Sequence, residues 1–374
     1  MGLSKPRACS NRPSLKLVVL ATQRLLLAFV SVISLHHFLS RLLLTLSLAG
    51  WGFAAIGQTP TNKAPLVIPV ASAVGSPIFV LNSLDATISV IDPKTWLVTK
   101  NIDTGKEPHH FYLSPDEKSL IVANAASDSL TFLDPRTAQV QRVMRDIRDP
   151  YHLRFSPDMK WFVTAANRLD HIDLYEWQNS APVLKKRVRT GKTPSHLWIN
   201  TKSTILYATM QDSDELIAID LNSQAILWRI KTGKQPADIY GLADDKTLLV
   251  GLTGSDGVQV FDVSGPAPKL MQKILTGKGA HAFRSAGDKR HVYVSNRIAN
   301  TINKLDLTTL KVVATYPGGS GADCMEVMGN KLLVTSRWEK KLTVIDLTSG
   351  KIERQIPVGK SPHGVWTLDH VPRD

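Results

Sequence analysis

The side chains that could do chemistry in this 374-residue chain recur just after one kind of turn. The turn reads Gly105-Lys106-Glu107-Pro108. It returns as Gly191-Lys192-Thr193-Pro194, Gly233-Lys234-Gln235-Pro236, Gly277-Lys278-Gly279-Ala280 and Gly359-Lys360-Ser361-Pro362. After these turns, or looser copies of them, come His109 and His110, His152, His196, Asp238, His281, Asp323 and His363. Imidazole and carboxylate suit proton transfer near neutral pH, polar ligand binding and metal ligation. Their register is split. His110, His152, His196, Asp238 and Asp323 sit five residues after the glycine or two after the proline; His109, His281 and His363 sit one residue earlier. One residue of offset reverses facing on a strand. At most one set is then expected to point to a shared centre, and no metal-ligand set is assigned. Two readings stay open, a polar ligand site and capping contacts between neighbouring repeats.

Arginine recurs as well. Asn167-Arg168, Asn296-Arg297 and Ser336-Arg337 are read as matching positions. A guanidinium there could form a fork for carboxylate or phosphate, or pair with a local acid, as Arg337 with Glu339. The candidate ligand-binding set is His110, His152, Arg168, His196, Asp238, His281, Arg297, Asp323, Arg337 and His363. Tyr112, Trp198, Tyr240 and Trp366 could stack on a ligand or pack between repeats. No catalytic residue is named. The chain lacks CxxCH, CxxC, HExxH, GxxxxGK[ST] and GxSxG, so no motif indicates a cofactor. Cys324 reads as a small buried residue rather than a nucleophile.

The elements that must position these residues repeat seven times. An apolar residue followed by an acid closes a strand at Asp92, Asp134, Glu176, Asp220, Asp262, Asp306 and Asp346, spaced by 40 to 44 residues. That period suits a four-stranded propeller blade. β-rich runs such as Leu120-Ile121-Val122-Ala123 precede each acid, and alternating outer strands such as 351–356 follow it. The predicted fold is all-β, a seven-bladed propeller with four antiparallel strands per blade. The segment 362–368 has the character of a first strand with no blade after it. It is expected to pair with 77–81 and close the ring on blade one, leaving no open sheet edge.

Val358-Gly359-Lys360-Ser361-Pro362-His363-Gly364-Val365 and Thr343-Val344-Ile345-Asp346-Leu347-Thr348-Ser349-Gly350-Lys351 carry a family resemblance. Over residues 76–368 the chain resembles the YVTN-type seven-bladed propellers, in the exported YncE-like and haem-nitrite-reductase-domain-like group. The resemblance implies the fold. Similar propellers also include lactonases and the large subunit of quinone-dependent amine dehydrogenases, so it leaves activity open.

Residues 1–57 hold six basic residues and no acid, and so carry six of the thirteen excess positive charges. The apolar stretch 42–57 ends in Ala55-Ile56-Gly57 and is short of a membrane span. The expected organisation is a hydrophobic signal leader over 1–57, a linker over 58–75, the propeller over 76–370 and a tail over 371–374. Export to a periplasmic or extracellular space follows, with membrane anchoring if the leader is retained. Without Cys9 the mature chain would keep one cysteine and no intrachain disulfide. The sequence favours a monomeric, non-catalytic propeller that binds a small anion, a peptide or a partner protein at a His/Arg-lined channel mouth. A cofactor-binding or enzymatic propeller, of noncovalent haem type or lactonase type, is the alternative. Nucleic-acid binding is weighed and not favoured, since Lys185-Lys186-Arg187-Val188-Arg189 reads as a solvated outer strand.

Overall fold

The computed structural model describes residues 75–372; the leader, nearly all of the linker and Cys9 lie outside the described residues. Seven four-stranded antiparallel sheets follow one another along the chain. Within a blade, burial falls from the axis outward. The second strand of blade one, Ile78–Asn82, is buried throughout, while its outer strand, Val98–Asp103, is largely exposed. Blades stack face to face, so second strands need apolar side chains on both faces, and continuous runs such as IFVL supply them. Each apolar cluster joins two blades. Val163, Ile172 and Leu174 of blade three pack on Leu197, Leu206 and Ile217 of blade four, and Leu333 and Val344 of blade seven pack on Ile78 and Val80 of blade one.

The ring closes as the sequence indicates. Pro362–Thr367 pairs antiparallel with Ile78–Asn82, with Phe79 opposite Trp366 and Val80 opposite Val365.

The periodic acids are turn devices. Asp134 Oδ1 accepts hydrogen bonds from the backbone N–H of Arg136 and Thr137, both at 2.8 Å. Asp306 does the same for Thr308 and Thr309 at 2.9 Å, which holds its carboxyl down at about 2. Glu176 differs. Its strand, His171–Gln178, runs on past it, and its carboxylate takes Lys185 Nζ at 2.6 Å.

The links between blades put the residue before the proline position at positive φ, in Glu107, Asp149, Thr193, Gln235, Gly279, Gly321 and Ser361. The glycine of the link has another task. A Cβ on Gly359 would lie 2.5 Å from Asn82, and one on Gly105 would lie 2.6 Å from Asn124. These asparagines end the second strands and clamp the blade. Asn82 donates to Thr87 Oγ1 and Ser89 Oγ, and accepts from the Gly359 N–H at 3.0 Å. Among the described residues no helix is long and apolar enough to cross a membrane.

Candidate functional site

Each inner strand starts with a bulge. In blade two Pro108 faces Asn124 and Phe111 faces Val122, so three steps on the inner strand match two on its neighbour. The same shift occurs on Pro150–Phe155, Pro194–Ile199, Pro236–Gly241, Ala280–Ser285, Ala322–Met328 and Pro362–Thr367. A bulge breaks the alternation of facing, and two successive side chains reach the axis together. This corrects the expectation that the two histidine registers exclude one another.

The pairing also corrects Asp323. Ala322 faces Ser336 as Ala280 faces Asn296, so Asp323 is in register with His281 and His363, one step after the link. The first tier is His109, Tyr151, Ser195, Ala237, His281, Asp323 and His363. The second is His110, His152, His196, Asp238, Ala282, Cys324 and Gly364, and it lines a cavity of about 130 Å³ that continues past Arg154. The tiers touch. The His109 ring lies 3.7 Å from that of His363 and 4.9 Å from that of His110; His110 lies 4.5 Å from His152 and 5.1 Å from His196, centroid to centroid.

Asp323 is the electrostatic centre of the first tier. Arg297 Nη2 donates to its Oδ1 at 2.8 Å and Arg337 Nη1 to its Oδ2 at 3.2 Å. Burial would push this carboxyl up; Arg297 and the His363 and His281 imidazoles outweigh it and hold the carboxyl well below its ordinary range. Arg297 Nη2 also lies 2.6 Å from His281 Nε2. A guanidinium only donates, so His281 Nε2 accepts there and the ring proton sits on Nδ1, 3.0 Å from Asp323 Oδ1. His363 Nδ1 donates to the His109 carbonyl at 2.8 Å.

Burial lowers the pKa of His109, His152, His196, His281 and His363, reinforced by neighbouring imidazoles or guanidiniums. At neutral pH these rings are uncharged, with one lone pair each. Burial pushes Tyr151 up to about 12 and keeps the Cys324 thiol protonated.

Nine of the ten candidates meet around the axis. Asp238 among them accepts from the backbone N–H of Ile239 and Phe283, both at 2.8 Å. Arg168 does not join them. Blade three ends its second strand at Ala166, so Arg168 is one residue beyond the position of Arg297 and Arg337. It sits on the rim, bonded to Glu107 and to Asp149 Oδ1 at 2.6 Å.

The sequence reading passed over Tyr151, whose ring lies 4.0 Å from that of His109. Its signal was the position after Pro150. It also missed an apolar arc. Leu84, Ile298 and Trp338 each stand two residues past the end of a second strand in adjacent blades, and are 75%, 53% and 55% exposed. Each backbone N–H bonds the link of its own mouth corner, at Lys360, Lys278 and Ser320. The arc borders Arg297 and Arg337.

No curated protein matches the chain. Solved structures share its fold. The periplasmic gluconolactonase PpgL of Pseudomonas aeruginosa matches at 17% identity and a TM-score of 0.67, over 80% of this chain and all of that one. The dihydro-heme d1 dehydrogenase NirN, in complex with DHE, matches at 16% and 0.61, over 79% of this chain and 75% of that one. Hydrazine synthase of Kuenenia stuttgartiensis matches at 18% and 0.62, over 72% and 92%. These neighbours are enzymes, and the axis holds three His/Asp groups with donor atoms within 4.8 Å of one another. The expectation of a non-catalytic protein is corrected on these grounds, and an enzymatic role stands at least level with a binding one. The propeller fold is what these structures share with this chain. The YncE-like β-propeller description matches residues 44–373, and the chain belongs to that family.

Proposed function

We propose that this chain is an exported, cofactor-dependent enzyme. Its organic ligand is planar and acid-bearing, of the haem type, and rests at the channel mouth above the axial imidazoles. One observation carries the reading: six imidazoles, two carboxylates and two guanidiniums are gathered at the axis, five of the imidazoles and Asp323 buried and the rest half-buried. Burying polar groups is costly unless they are paired, and a core would not collect so many lone pairs by packing alone. Such clusters of perturbed groups mark functional sites. The mouth complements them, since two guanidiniums beside an apolar arc suit a flat ring that carries carboxylates. Arg297 and Arg337 share one carboxylate, which leaves one positive charge for an incoming anion.

Titration of the purified protein with haem tests this. The expected result is a shifted Soret band at micromolar haem, weakened when Arg297 and Arg337 are replaced by alanine while the ring stays folded. No spectral change removes the haem version. Lactone hydrolysis is a second reading, favoured by the end-to-end match to a periplasmic gluconolactonase. It predicts turnover of aldonolactones that falls with the same two replacements. Export is part of the proposal. N-terminal sequencing of periplasmic material is expected to begin near Gln58, and an intact leader in that fraction would refute cleavage.

A further inference from the structure

We propose that His110, His152 and His196 together bind one late first-row transition-metal ion, zinc or copper, on the axis of the channel. The inference deepens the reading above and rests on the same axial cluster. The three residues hold one position, the second of the bulge, on the inner strands of three consecutive blades. Their donor nitrogens lie within 4.8 Å of one another. An ion at the centre of such a triangle is about 2.8 Å from each corner at most, against about 2.0–2.1 Å for a zinc–imidazole bond. Side-chain shifts of under ~1 Å therefore close the site. The rings meet edge to face or tilted, at 67°, 73° and 54°. Three imidazoles with a fourth position open to a cavity are the donor set of a catalytic late-metal site, and nitrogen donors favour copper and zinc over earlier ions. Ser195 Oγ lies 2.9 Å from His196 Nδ1; with the ring proton on Nδ1 the hydroxyl accepts it, which is the arrangement that leaves Nε2 for the ion.

The two competing groups fit an ion poorly. In His281–Asp323–His363, Arg297 already occupies the His281 Nε2 lone pair and brings a cation. In His109–His110–His363, His363 Nδ1 already donates to the His109 carbonyl, and the rings of His109 and His363 lie 3.7 Å apart at 35°, so near to stacked that one ion cannot lie in the plane of both. At the proposed site the nearby cation, Arg154, is held over the Trp198 ring at 4.1 Å.

The test uses the full chain, stripped with chelator and dialysed separately against zinc and copper, with metal content read by mass spectrometry. One ion per chain is expected, and the two arms decide which metal is held. Cobalt(II) loading is expected to give the visible bands of a low-coordinate nitrogen site. His152→Ala with His196→Ala abolishes retention, whereas Tyr151→Phe and His281→Gln keep it. Should the double variant fail to fold, Ser195→Ala serves, with affinity expected to fall about 10–100-fold. No retained ion in the wild type, equal retention in a folded double variant, or loss in His281→Gln overturns the proposal. Metal retention without any haem or lactone response would support it and remove the proposed function; a haem response without metal would do the reverse.

Discussion

Asp323 faces two guanidiniums and two imidazoles with no exposure to solvent. Removing one partner of a buried ion pair leaves charges without compensation, which costs about 3–5 kcal/mol. Asp323→Ala is expected to lower stability on that scale in urea titrations, and a loss under ~1 kcal/mol would mean that the arginines turn out to water. The imidazoles around it impose a pH dependence. His109, His152, His196 and His363 have folded pKa values well below 6.5 because they are buried. Below about pH 6.5 the unfolded chain takes up protons that the folded chain refuses, so stability falls as pH drops through that value. Urea midpoints between pH 8 and 5 are expected to decline steeply below about 6.5, with up to four protons linked to unfolding. A flat profile would place these rings in contact with water. The residues themselves were legible in the sequence, because the link motif flags each histidine. Their convergence was not, since it depends on a bulge that alternation rules do not anticipate. Arg168 looked equivalent to Arg297 for a related reason: the dipeptides align, but the strand before Arg168 ends one residue earlier.

At the scale of the element, the link between blades is where sequence and geometry agree on position and differ on cause. A glycine in a tight link ordinarily supplies the left-handed backbone of the turn. The positive φ instead falls two residues later, on Glu107, Thr193 or Ser361, and the glycine serves close approach to the strand-ending asparagine. Gly359→Ala would press a methyl group against Asn82, whose amide bonds both the link and the next strand. Overpacking of this kind costs about 1–3 kcal/mol. Gly265 has no neighbour closer than 3.8 Å and no positive φ, so Gly265→Ala is the matched control. Thermal unfolding is expected to fall by several degrees for the first and by almost none for the second. Equal shifts would return the link glycine to a turn role. The repeating acids follow the same pattern. Six of the seven cap turns or end strands, and only the longer hairpin of blade three, reaching Asn179 and Ser180, takes Glu176 out of that duty.

For the whole molecule, the sequence marks both ends of the ring, because a first-strand segment without a blade must find a blade without a first strand. Pro362–Thr367 is buried along its full length. It carries His363 into the axial cluster and Trp366 against Phe79. Closure and site therefore depend on one strand. Truncation after Ser361 would strip that strand from Ile78–Asn82, leave a three-stranded blade with an unpaired edge, and open the axis between blades one and seven. Soluble yield and monodispersity on size exclusion are expected to collapse, as exposed edges template aggregation. A circular permutant separates closure from chain order. New ends at Gly265, in the outer hairpin of blade five, with the original ends joined by a flexible linker, keep every strand pair and every axial residue. The permutant is expected to fold and to melt within a few degrees of the parent. If the truncation folds as well as the permutant, blade one needs no closing strand, and His363 is dispensable to the channel that it lines.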